Sequence, residues 1–398
     1  MMKLLAVNTG SSSLKFKLFA MPSQEVLIAG TFEKINETGS FYRLEIKEQK
    51  IQKEVVLTDH KQAFELVVSE LLANQVVTDL EEIVGIGHRV VQGGDYFADT
   101  VFIDEDVIAK INELAALAPL HNPAAIIGID AARRVFPKAL QTAVFDTAFH
   151  QTMKEETFLY ALPYKWYEDY KIRRYGAHGT SHKYVARRMN EILNLPNSRI
   201  ITCHLGNGGS ISAVVNNVCL NTSMGLTPNA GIIMGTRCGD IDATIVTYMM
   251  QKYNLSAAEI EQVLNKESGY LGISGVSSDS RDIEKGIAEG NTRCLLARKM
   301  FVRRVVDYIA KYYFEMKGLD ALVFTAGIGE NSVLTRAAIM EELAFIGITI
   351  DEQANSKRAI EIKVSAADSQ IPCYVIPTNE ELMIALDTYD LINKRGQE

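Results

Sequence analysis

Two glycine- and serine-rich hairpins, one in each half of the chain, constrain its fold more than any other feature of the sequence. Near the start, a strand-like apolar run enters the loop NTGSSS (residues 8–13), and a second strand-like run leaves it. In the second half, the loop HLGNGGS (residues 204–210) lies between two similar runs. Gly10 and Gly206 are separated by about half of the 398 residues. This spacing predicts a duplicated strand–loop–strand unit and therefore two homologous domains.

Both loops have the residue types that a phosphate-binding turn requires. Small side chains allow the backbone to approach an anion, and backbone N–H groups and hydroxyls such as those of Ser11 and Ser13 donate to it. A tight structural hairpin uses the same residues, so either loop alone favours a structural role, whereas the pair favours two domains that hold one phosphate chain. The sequence has no G-x-x-x-x-G-K-[ST] and no G-x-G-x-x-G after a strand, which excludes a P-loop and a Rossmann dinucleotide site.

The composition is that of a soluble globular protein of two or three domains, with 47% hydrophobic and 23% charged residues. A net charge of −8 argues against nucleic acid or an anionic membrane as a partner, although local arginines could still bind small anions. The five cysteines are scattered and form no C-x-x-C pair, so a disulfide framework or a zinc site is not expected. The first apolar run is too short for a signal peptide and no run could cross a bilayer, so we expect a cytoplasmic protein.

Strand and helix patterns alternate along the chain and predict an α/β protein. We expect Asn122 to cap a helix that has Pro123 in its first turn. The longest predicted helix runs from Asn291 to about Met316, with Gly318 suited to its C-cap. Its apolar stripe suits either a domain core or a dimer face, with the core favoured. A closing helix is expected after Asn379, which could cap it.

Two arginines lie among glycines, in GIGHRVVQGG (Arg89) and MGTRCGD (Arg237). Neighbouring glycines suggest a guanidinium directed into a cleft, where its planar fork suits carboxylate or phosphoryl oxygens. The alternative is an ordinary ion pair with a nearby carboxylate, for example between Arg237 and Asp240 or Asp242. The two interpretations have similar weight for each arginine.

His178 also lies between small residues, in YGAHGTSH, and is one of four histidines in such settings (the others are His88, His121 and His204). This number favours a polar site, whereas a lone histidine is usually structural. Because no H-E-x-x-H spacing occurs, a catalytic zinc is not expected. Asp146 follows a strand-like segment and is placed either for a cleft or for helix capping.

Taken together, these segments resemble the acetate kinase (acetokinase) family of the acetate and sugar kinase/Hsp70/actin superfamily. The match covers nearly the whole chain. The segments that carry it are, in order, NTGSSSLKFKLF, GHRVVQGG, LAPLHNP, VFDTAFH, RRYGAHGTSHKYV, HLGNGGSISA, MGTRCGDID, FTAGIGEN and TNEELMIA.

The resemblance implies an α/β fold of two duplicated actin/Hsp70-like (ribonuclease H-like) domains flanking a nucleotide-binding cleft. Domain I would cover 1–148, with a C-terminal helix at 382–398 packed back onto it, and domain II would cover 149–381. The implied activity is the reversible phosphorylation of acetate to acetyl phosphate with ATP and Mg²⁺, with Mn²⁺ as a substitute metal. A homodimer is also implied.

The resemblance assigns a role to each candidate residue. Magnesium would be bound by Asn8 and Glu380. The catalytic residues would be Arg89 on the acyl carboxylate, His178 and Arg237 on the transferring phosphoryl group, and Asp146 as the active-site acid. The wall around the acetate methyl group would be Val91, Leu120, Ala177 and Pro228. The nucleotide-binding residues would be Lys15, His204, Leu205, Gly206, Asn207, Gly208, Asp279, Ser280, Arg281, Gly327, Ile328, Gly329, Glu330 and Asn331. Lys15 could equally be a solvated strand residue.

The acceptor in such a reaction is a carboxylate, which is already ionised at neutral pH and needs no general base. Catalysis must therefore come from holding two anions in line and neutralising the charge between them. On this argument, we predict that Asp146 positions a metal, a water or an arginine and does not abstract a proton from the substrate.

Three positions depart from the family pattern. Ala177 replaces a usual phenylalanine, which should enlarge the acyl pocket and admit propionate unless neighbouring side chains fill the space. Gln92 replaces a usual histidine. Ser280 replaces a bulkier apolar residue, which puts adenine packing in doubt. A propionate or butyrate kinase and an actin- or Hsp70-like nucleotide switch remain as alternatives; the switch would leave Arg89, His178 and Arg237 without a role.

Overall fold

The computed structural model describes residues 1–47, 49–119 and 121–397, and its strands form two separate sheets. The strands of the first sheet are β1 (Met2–Thr9), β2 (Ser13–Met21), β3 (Glu25–Glu33), β4 (Phe41–Ile46), β5 (Gln49–Glu54), β6 (Ile83–Val90), β7 (Val101–Phe102) and β8 (Leu140–Phe145). Those of the second are β9 (Arg199–Leu205), β10 (Gly209–Val215), β11 (Val218–Thr222), β12 (Ala321–Thr325), β13 (Ile362–Lys363) and β14 (Cys373–Val375).

Helices alternate with these strands. They are α1 (His60–Ala73), α2 (Glu105–Glu113), α3 (Asn122–Val135), α4 (Glu155–Phe158), α5 (Tyr164–Tyr170), α6 (Gly179–Leu193), α7 (Thr244–Tyr253), α8 (Ala257–Gln262), α9 (Gly269–Ser274), α10 (Ser280–Ala288), α11 (Thr292–Glu315), α12 (Ala326–Asn331), α13 (Val333–Glu342), α14 (Glu352–Asn355) and α15 (Glu380–Arg395). Short 3₁₀ turns cover Leu80–Glu82, Leu114–Leu117, Ala148–His150 and Ala344–Ile346, and Val263–Glu267 is a π-helix. None of the helices in the described ranges is both long and apolar enough to span a bilayer.

The chain divides into two compact units. Unit 1 comprises Met1–Gln151 and Asn379–Glu398, and unit 2 comprises Thr152–Thr378. The domain limits expected from the sequence stay a prediction. The closing helix begins at Glu380 and not at 382, with Asn379 as its N-cap as expected: the Asn379 side chain accepts a hydrogen bond from the N–H of Leu382.

In unit 1 the sheet order is β5-β4-β3-β2-β1-β6-β8-β7. Strands β1, β2 and β3 pair antiparallel, whereas β1, β6 and β8 pair parallel. Two glycines of β6 make room for α15, because a Cβ at Gly85 would lie 2.6 Å from Ile392 and one at Gly87 would lie 2.4 Å from Thr388. The helix that closes the chain therefore packs directly on the centre of this sheet.

In unit 2 the sheet order is β11-β10-β9-β12-β14-β13. Strands β9, β10 and β11 pair antiparallel, and β9, β12 and β14 pair parallel. The apolar stripe of α11, which includes Phe301, Val305 and Ile309, is fully buried in the core of this unit. The stripe thus belongs to the core and not to a dimer face.

The two sheets share one topology. The order β3-β2-β1-β6-β8 in unit 1 corresponds strand by strand to β11-β10-β9-β12-β14 in unit 2, with the same parallel and antiparallel pairings. The glycine-rich loops occupy equivalent places, between β1 and β2 and between β9 and β10. This confirms the α/β fold class and the duplication predicted from the two hairpins.

Two local predictions were wrong. Asn122 is not a cap but the first residue of α3, because its side chain is used in tertiary bonds to the backbone of Gln92 and Ile111. The C-cap of α11 is Met316, and Gly318 lies two residues beyond it, where its N–H donates to Tyr313. The GIGEN segment after β12 forms the short helix α12.

Candidate active site

The loop between β1 and β2 borders a cavity of about 230 Å³ in unit 1. The loop is closed by a hydrogen bond of 2.8 Å from the N–H of Gly10 to the carbonyl of Ser13. Of the predicted residues, this cavity gathers Asn8, Ser13, Lys15, Arg89 and Val91, together with Thr9, Gly10 and His121. Ser11 is exposed and does not line it, and Leu120 lies outside the described residues.

Arg89, at the end of β6, is paired with a fully buried carboxylate. Its Nη2 donates to Asp146 Oδ2 at 2.6 Å and its Nε to Oδ1 at 3.2 Å. A weaker contact of 3.4 Å joins Nη1 to Asn8 Oδ1. Burial lowers the pKa of Arg89, but the Asp146 carboxylate outweighs it, so this pKa lies above its ordinary value. The ion pair considered as the alternative for Arg89 is therefore present, and Asp146 holds an arginine, one of the three roles predicted for it.

Glu380, in the first turn of α15, belongs to the same group of charges. Burial raises its pKa above the ordinary value of 4.5, and the Asp146 carboxylate adds to this, while Arg89 and Lys15 oppose it. Among the described residues, no three His, Cys, Asp or Glu side chains form a metal site by themselves. Mg²⁺ is commonly held by one or two carboxylates, with substrate phosphates and water completing its shell. The carboxylate and amide oxygens of Glu380 and Asn8 fit such a site.

Replacing Glu380 by glutamine is expected to stabilise the metal-free protein in a pH-dependent way. A carboxyl whose folded-state pKa is raised costs stability as pH rises from 4.5 through that raised pKa. The variant should therefore melt at the wild-type temperature below that window and at a higher temperature above it. Thermal melts with a chelator present measure this difference, and added Mg²⁺ should stabilise only the wild type. Equal melting temperatures across the pH range would contradict the prediction.

In unit 2, His178 and Arg237 approach the loop between β9 and β10 from two sides. A Cβ placed on Gly208 would lie 3.3 Å from Arg237 Nη1 and 3.7 Å from His178 Nε2. His178 has a left-handed backbone (φ 58°) just before α6, an uncommon conformation for a non-glycine residue that is often found at functional sites. Glycine at position 208 thus leaves a space beside one guanidinium nitrogen and one imidazole nitrogen.

Arg237 is half-buried, and it has no ion pair with any residue in the described ranges. Its Nη1 donates to the carbonyl of Pro228 at 3.1 Å and contacts the sulfur of Met234 at 3.6 Å. The two carboxylates considered as partners bond elsewhere: Asp240 to Gly231 and Tyr308, and Asp242 to Thr244. Burial lowers the pKa of Arg237. A partly desolvated cation without a carboxylate suits an incoming anion.

The four histidines singled out in the sequence have different surroundings. The ring of His204 stacks on that of His178, with centroids 4.1 Å apart, and its Nδ1 lies 2.8 Å from Ser181 Oγ. His121 lines the cavity of unit 1. His88 is a buried residue of β6, its Nε2 lies 2.8 Å from Gln141 Oε1, and burial lowers its pKa to about 4.

A larger cavity of about 650 Å³ lies in unit 2, between the starts of α10 and α12. Seven predicted nucleotide-binding residues line it, namely Asn207, Asp279, Ser280, Arg281, Gly327, Ile328 and Asn331. Four others were not predicted, namely Ser278, Glu284, Ser332 and Arg358. Glu284 lies one helical turn after Ser280 and could have been found from that spacing, whereas the sequence gives no signal for Arg358.

The other residues predicted to bind nucleotide do not line this cavity. Lys15 belongs to unit 1. His204 and Leu205 end strand β9, Gly206 and Gly208 form the turn that follows, and Gly329 is buried in α12. The Glu330 carboxylate accepts hydrogen bonds from the N–H groups of Ala326 and Thr378, so it ties local backbone together.

Ala177 packs against two methionines. It forms a small buried cluster with Met224 and Met234, both fully buried. Flexible thioether side chains thus pack against the position at which the family pattern has phenylalanine. Pro228 is linked to this region through its carbonyl, which binds Arg237.

Comparison with known proteins identifies the family of this chain. A family model described as the acetokinase family matches residues 3–386. An acetate kinase of Geobacillus sp. (strain WCH70) is 49% identical over 395 residues, covering 99% of this chain and 100% of the relative. The crystal structure of Porphyromonas gingivalis acetate kinase superposes with a TM-score of 0.92 at 44% identity, covering 98% of this chain and 100% of that one. A propionate kinase from Francisella tularensis gives a TM-score of 0.91 at 44% identity, with the same coverage. The chain therefore belongs to the acetokinase family.

Proposed function

We propose that this protein catalyses the reversible transfer of the γ-phosphoryl group of ATP to acetate, which yields acetyl phosphate and ADP. The observation that carries the proposal is the pair of donors, His178 and Arg237, that face the space above Gly208. Arg237 is a cation without a carboxylate partner among the described residues, as expected for a group that neutralises transferring phosphoryl oxygens. Membership of the acetokinase family favours this enzyme over an actin- or Hsp70-like switch.

Unit 2 would bind the nucleotide. Its cavity of about 650 Å³ is large enough for a nucleoside, and Asn207 links that cavity to the glycine turn at Gly208. The turn offers backbone N–H groups to phosphate oxygens without side-chain obstruction. Arg281 lines this cavity with a largely exposed side chain, and its guanidinium plane pairs with Asp279 at 2.5 Å. We infer that the base stacks on this plane.

Unit 1 would bind the acyl substrate. Asp146 accepts hydrogen bonds at both of its oxygens from Arg89, and this fixes the guanidinium without consuming all of its donors. The acetate carboxylate would bind to the remaining N–H groups, with Val91 beside its methyl group. Because acetate is already ionised, in-line attack requires no base, and Asp146 acts as a positioning residue.

Mg²⁺ would be held by Glu380 and Asn8 together with nucleotide phosphates, and Mn²⁺, which also prefers oxygen ligands, would substitute for it. When bound, the metal supplies positive charge to the phosphate oxygens. Burial raises the pKa of Glu380 in the metal-free protein, and a bound metal should lower that pKa.

We also propose that the protein is a cytoplasmic homodimer without a nucleic-acid or membrane partner. Support for an oligomer comes from the exposed aromatic side chains of Tyr164, Trp166 and Tyr170 along α5, which are unusual on a monomer surface. Light scattering of the purified chain tests the oligomeric state; a monomer at micromolar concentration would contradict the proposal.

The decisive assay traps acyl phosphate with hydroxylamine after incubation with ATP, Mg²⁺ and formate, acetate, propionate or butyrate. Rapid product formation with acetate is the expected result. If ATP binds but no carboxylate yields product, the nucleotide-switch alternative is correct and Arg89 does not bind an acyl substrate.

The chain-length profile should depend on the methionines beside Ala177. We expect acetate as the preferred substrate, with propionate tolerated. Met224→Ala should raise the kcat/KM for propionate relative to acetate, because it removes buried atoms next to Ala177 and a buried methylene is worth about 0.8 kcal/mol. Steady-state kinetics with the four acids measure the ratio. An unchanged ratio in a folded variant would show that this cluster does not border the acyl group.

A further inference from the structure

We propose that Thr202, His182 and Ser210 form a directed hydrogen-bond chain that keeps the proton of neutral His178 on Nε2. These three residues would be positioning residues for the phosphoryl-binding imidazole. Both the direction of these hydrogen bonds and their purpose rest on the proposed function, because both follow from phosphoryl oxygens bound beside His178 Nε2.

The hydrogen-bond chain is continuous, and its three positioning residues are buried. Thr202 Oγ1 lies 2.7 Å from His182 Nδ1, and His182 Nε2 lies 2.7 Å from Ser210 Oγ. Ser210 Oγ in turn lies 2.9 Å from His178 Nδ1. Thr202 on β9, His182 on α6 and Ser210 on β10 are fully buried. His178, the last residue of the hydrogen-bond chain, is partly exposed. Three elements of unit 2 thus support one side of the His178 ring.

The direction of the bonds follows from counting protons. The phosphoryl oxygens expected near Gly208 only accept hydrogen bonds, so a neutral His178 must carry its proton on Nε2 and leave Nδ1 as an acceptor. Ser210 has one hydroxyl proton, and it must then donate that proton to His178 Nδ1. It accepts from His182 Nε2–H in turn, and His182 Nδ1 accepts from the hydroxyl of Thr202.

The other neutral tautomer of His178 would weaken the binding of an anion. With the proton on Nδ1, the ring would present a lone pair at Nε2 to the oxygens of an anion. The hydroxyl of Ser210, fixed by His182, makes that tautomer unfavourable. The arrangement provides a hydrogen-bond donor at neutral pH without requiring a charged imidazole.

The strand that carries Ser210 also provides a matched control. Ser212 is two residues further along β10, so it lies on the same face, and it is equally buried. Its hydroxyl bonds to Thr222 Oγ1 at 2.9 Å, which is not part of the chain. Replacing either serine by alanine therefore removes one buried hydroxyl from the same strand.

The experiment is ¹⁵N NMR of the full-length protein labelled at histidine, with the His178 signals assigned from a His178→Gln spectrum. In the wild type, neutral His178 should show a protonated Nε2 and an unprotonated Nδ1. Ser210→Ala and Thr202→Val should give a mixture of tautomers, and Ser212→Ala should leave the His178 signals unchanged. A protonated Nδ1 in the wild type, or an equal change in Ser212→Ala, would overturn the proposal.

Kinetics provide a second readout. Ser210→Ala should lower kcat by about 10- to 100-fold, the usual effect of removing a group that orients a functional imidazole, with the KM values for ATP and acetate unchanged. Ser210→Thr, which keeps the hydroxyl, should recover most of that loss. If kcat in Ser210→Ala is unchanged, the hydrogen-bond chain has no catalytic role. If the wild type forms no acyl phosphate, the proposed function fails, while the NMR result still decides the direction of the chain.

Discussion

Arg237→Ala is expected to lower kcat for acetyl phosphate formation by about a thousandfold or more, the range seen when an arginine that stabilises a transferring phosphoryl group is lost. The reason is structural: the Arg237 side chain is half-buried beside Gly208, and within the described residues its hydrogen-bond partners are the neutral Pro228 carbonyl and the Met234 sulfur. Its positive charge is therefore uncompensated until an anion arrives. The affinity for ADP should change little, because Arg237 does not line the cavity between α10 and α12.

Hydroxylamine trapping measures kcat, and calorimetry measures the Kd of ADP. Arg237→Lys should recover part of the activity, since it keeps the charge but loses the planar fork. Arg199→Ala is the matched control from the same unit. Arg199 begins β9, at the opposite end of that strand from the glycine turn, and pairs with Asp320 at 2.7 Å, so its loss should leave kcat unchanged. A similar loss of ADP affinity and kcat in Arg237→Ala would contradict a role confined to the phosphoryl group.

Arg336→Met is expected to destabilise unit 2 by about 3 kcal/mol or more, because removing a donor from buried acceptors costs about 1–3 kcal/mol for each. The Arg336 side chain is fully buried and donates to the carbonyl oxygens of Gly329, Asn355 and Lys357 and to the side chain of Asn355. Burial, and then the nearby Arg358, lower the pKa of Arg336 to about 10, so it is still a cation at neutral pH.

The only tryptophan of the chain, Trp166, lies in α5 of unit 2, so its fluorescence during urea unfolding reports on this unit. Arg304→Met, at an exposed position of α11 near Asp307, should change stability by no more than about 0.5 kcal/mol. Equal urea midpoints for Arg336→Met and the wild type would show that the buried guanidinium does not hold α12 to the segment after α14.

The hairpins and the long helix could be predicted because their signals are local. Strands β1, β2, β9 and β10 have short apolar runs on both sides of a glycine-rich loop, and a stripe of large side chains every three or four residues marks α11. The prediction that Asn122 caps α3 was wrong because proline after a polar residue is only a general sign of a helix start. Its side chain instead bonds to Gln92 and Ile111, which a local pattern does not reveal.

The glycine-flanked residues of the candidate site could be predicted from the sequence, but the ion pairs that they form could not. The sequence alone left Arg89 and Arg237 equivalent, whereas the structure gives the first a buried carboxylate and the second none within the described residues. That difference depends on contacts between distant segments. The same holds for Arg358, whose neighbours in the cavity come from α10 and α12, and for the methionines that pack on Ala177.

The place of α15 in the sequence makes the folding of unit 1 depend on nearly the whole chain. Unit 2 is one continuous stretch, Thr152–Thr378, whereas unit 1 joins Met1–Gln151 to Asn379–Glu398. The surface of β6 at Gly85 and Gly87 is covered by Ile392 and Thr388 of α15. Domains fold as units once their segments are available. Unit 1 therefore cannot complete its core until α15, which follows unit 2 in the sequence, has been synthesised.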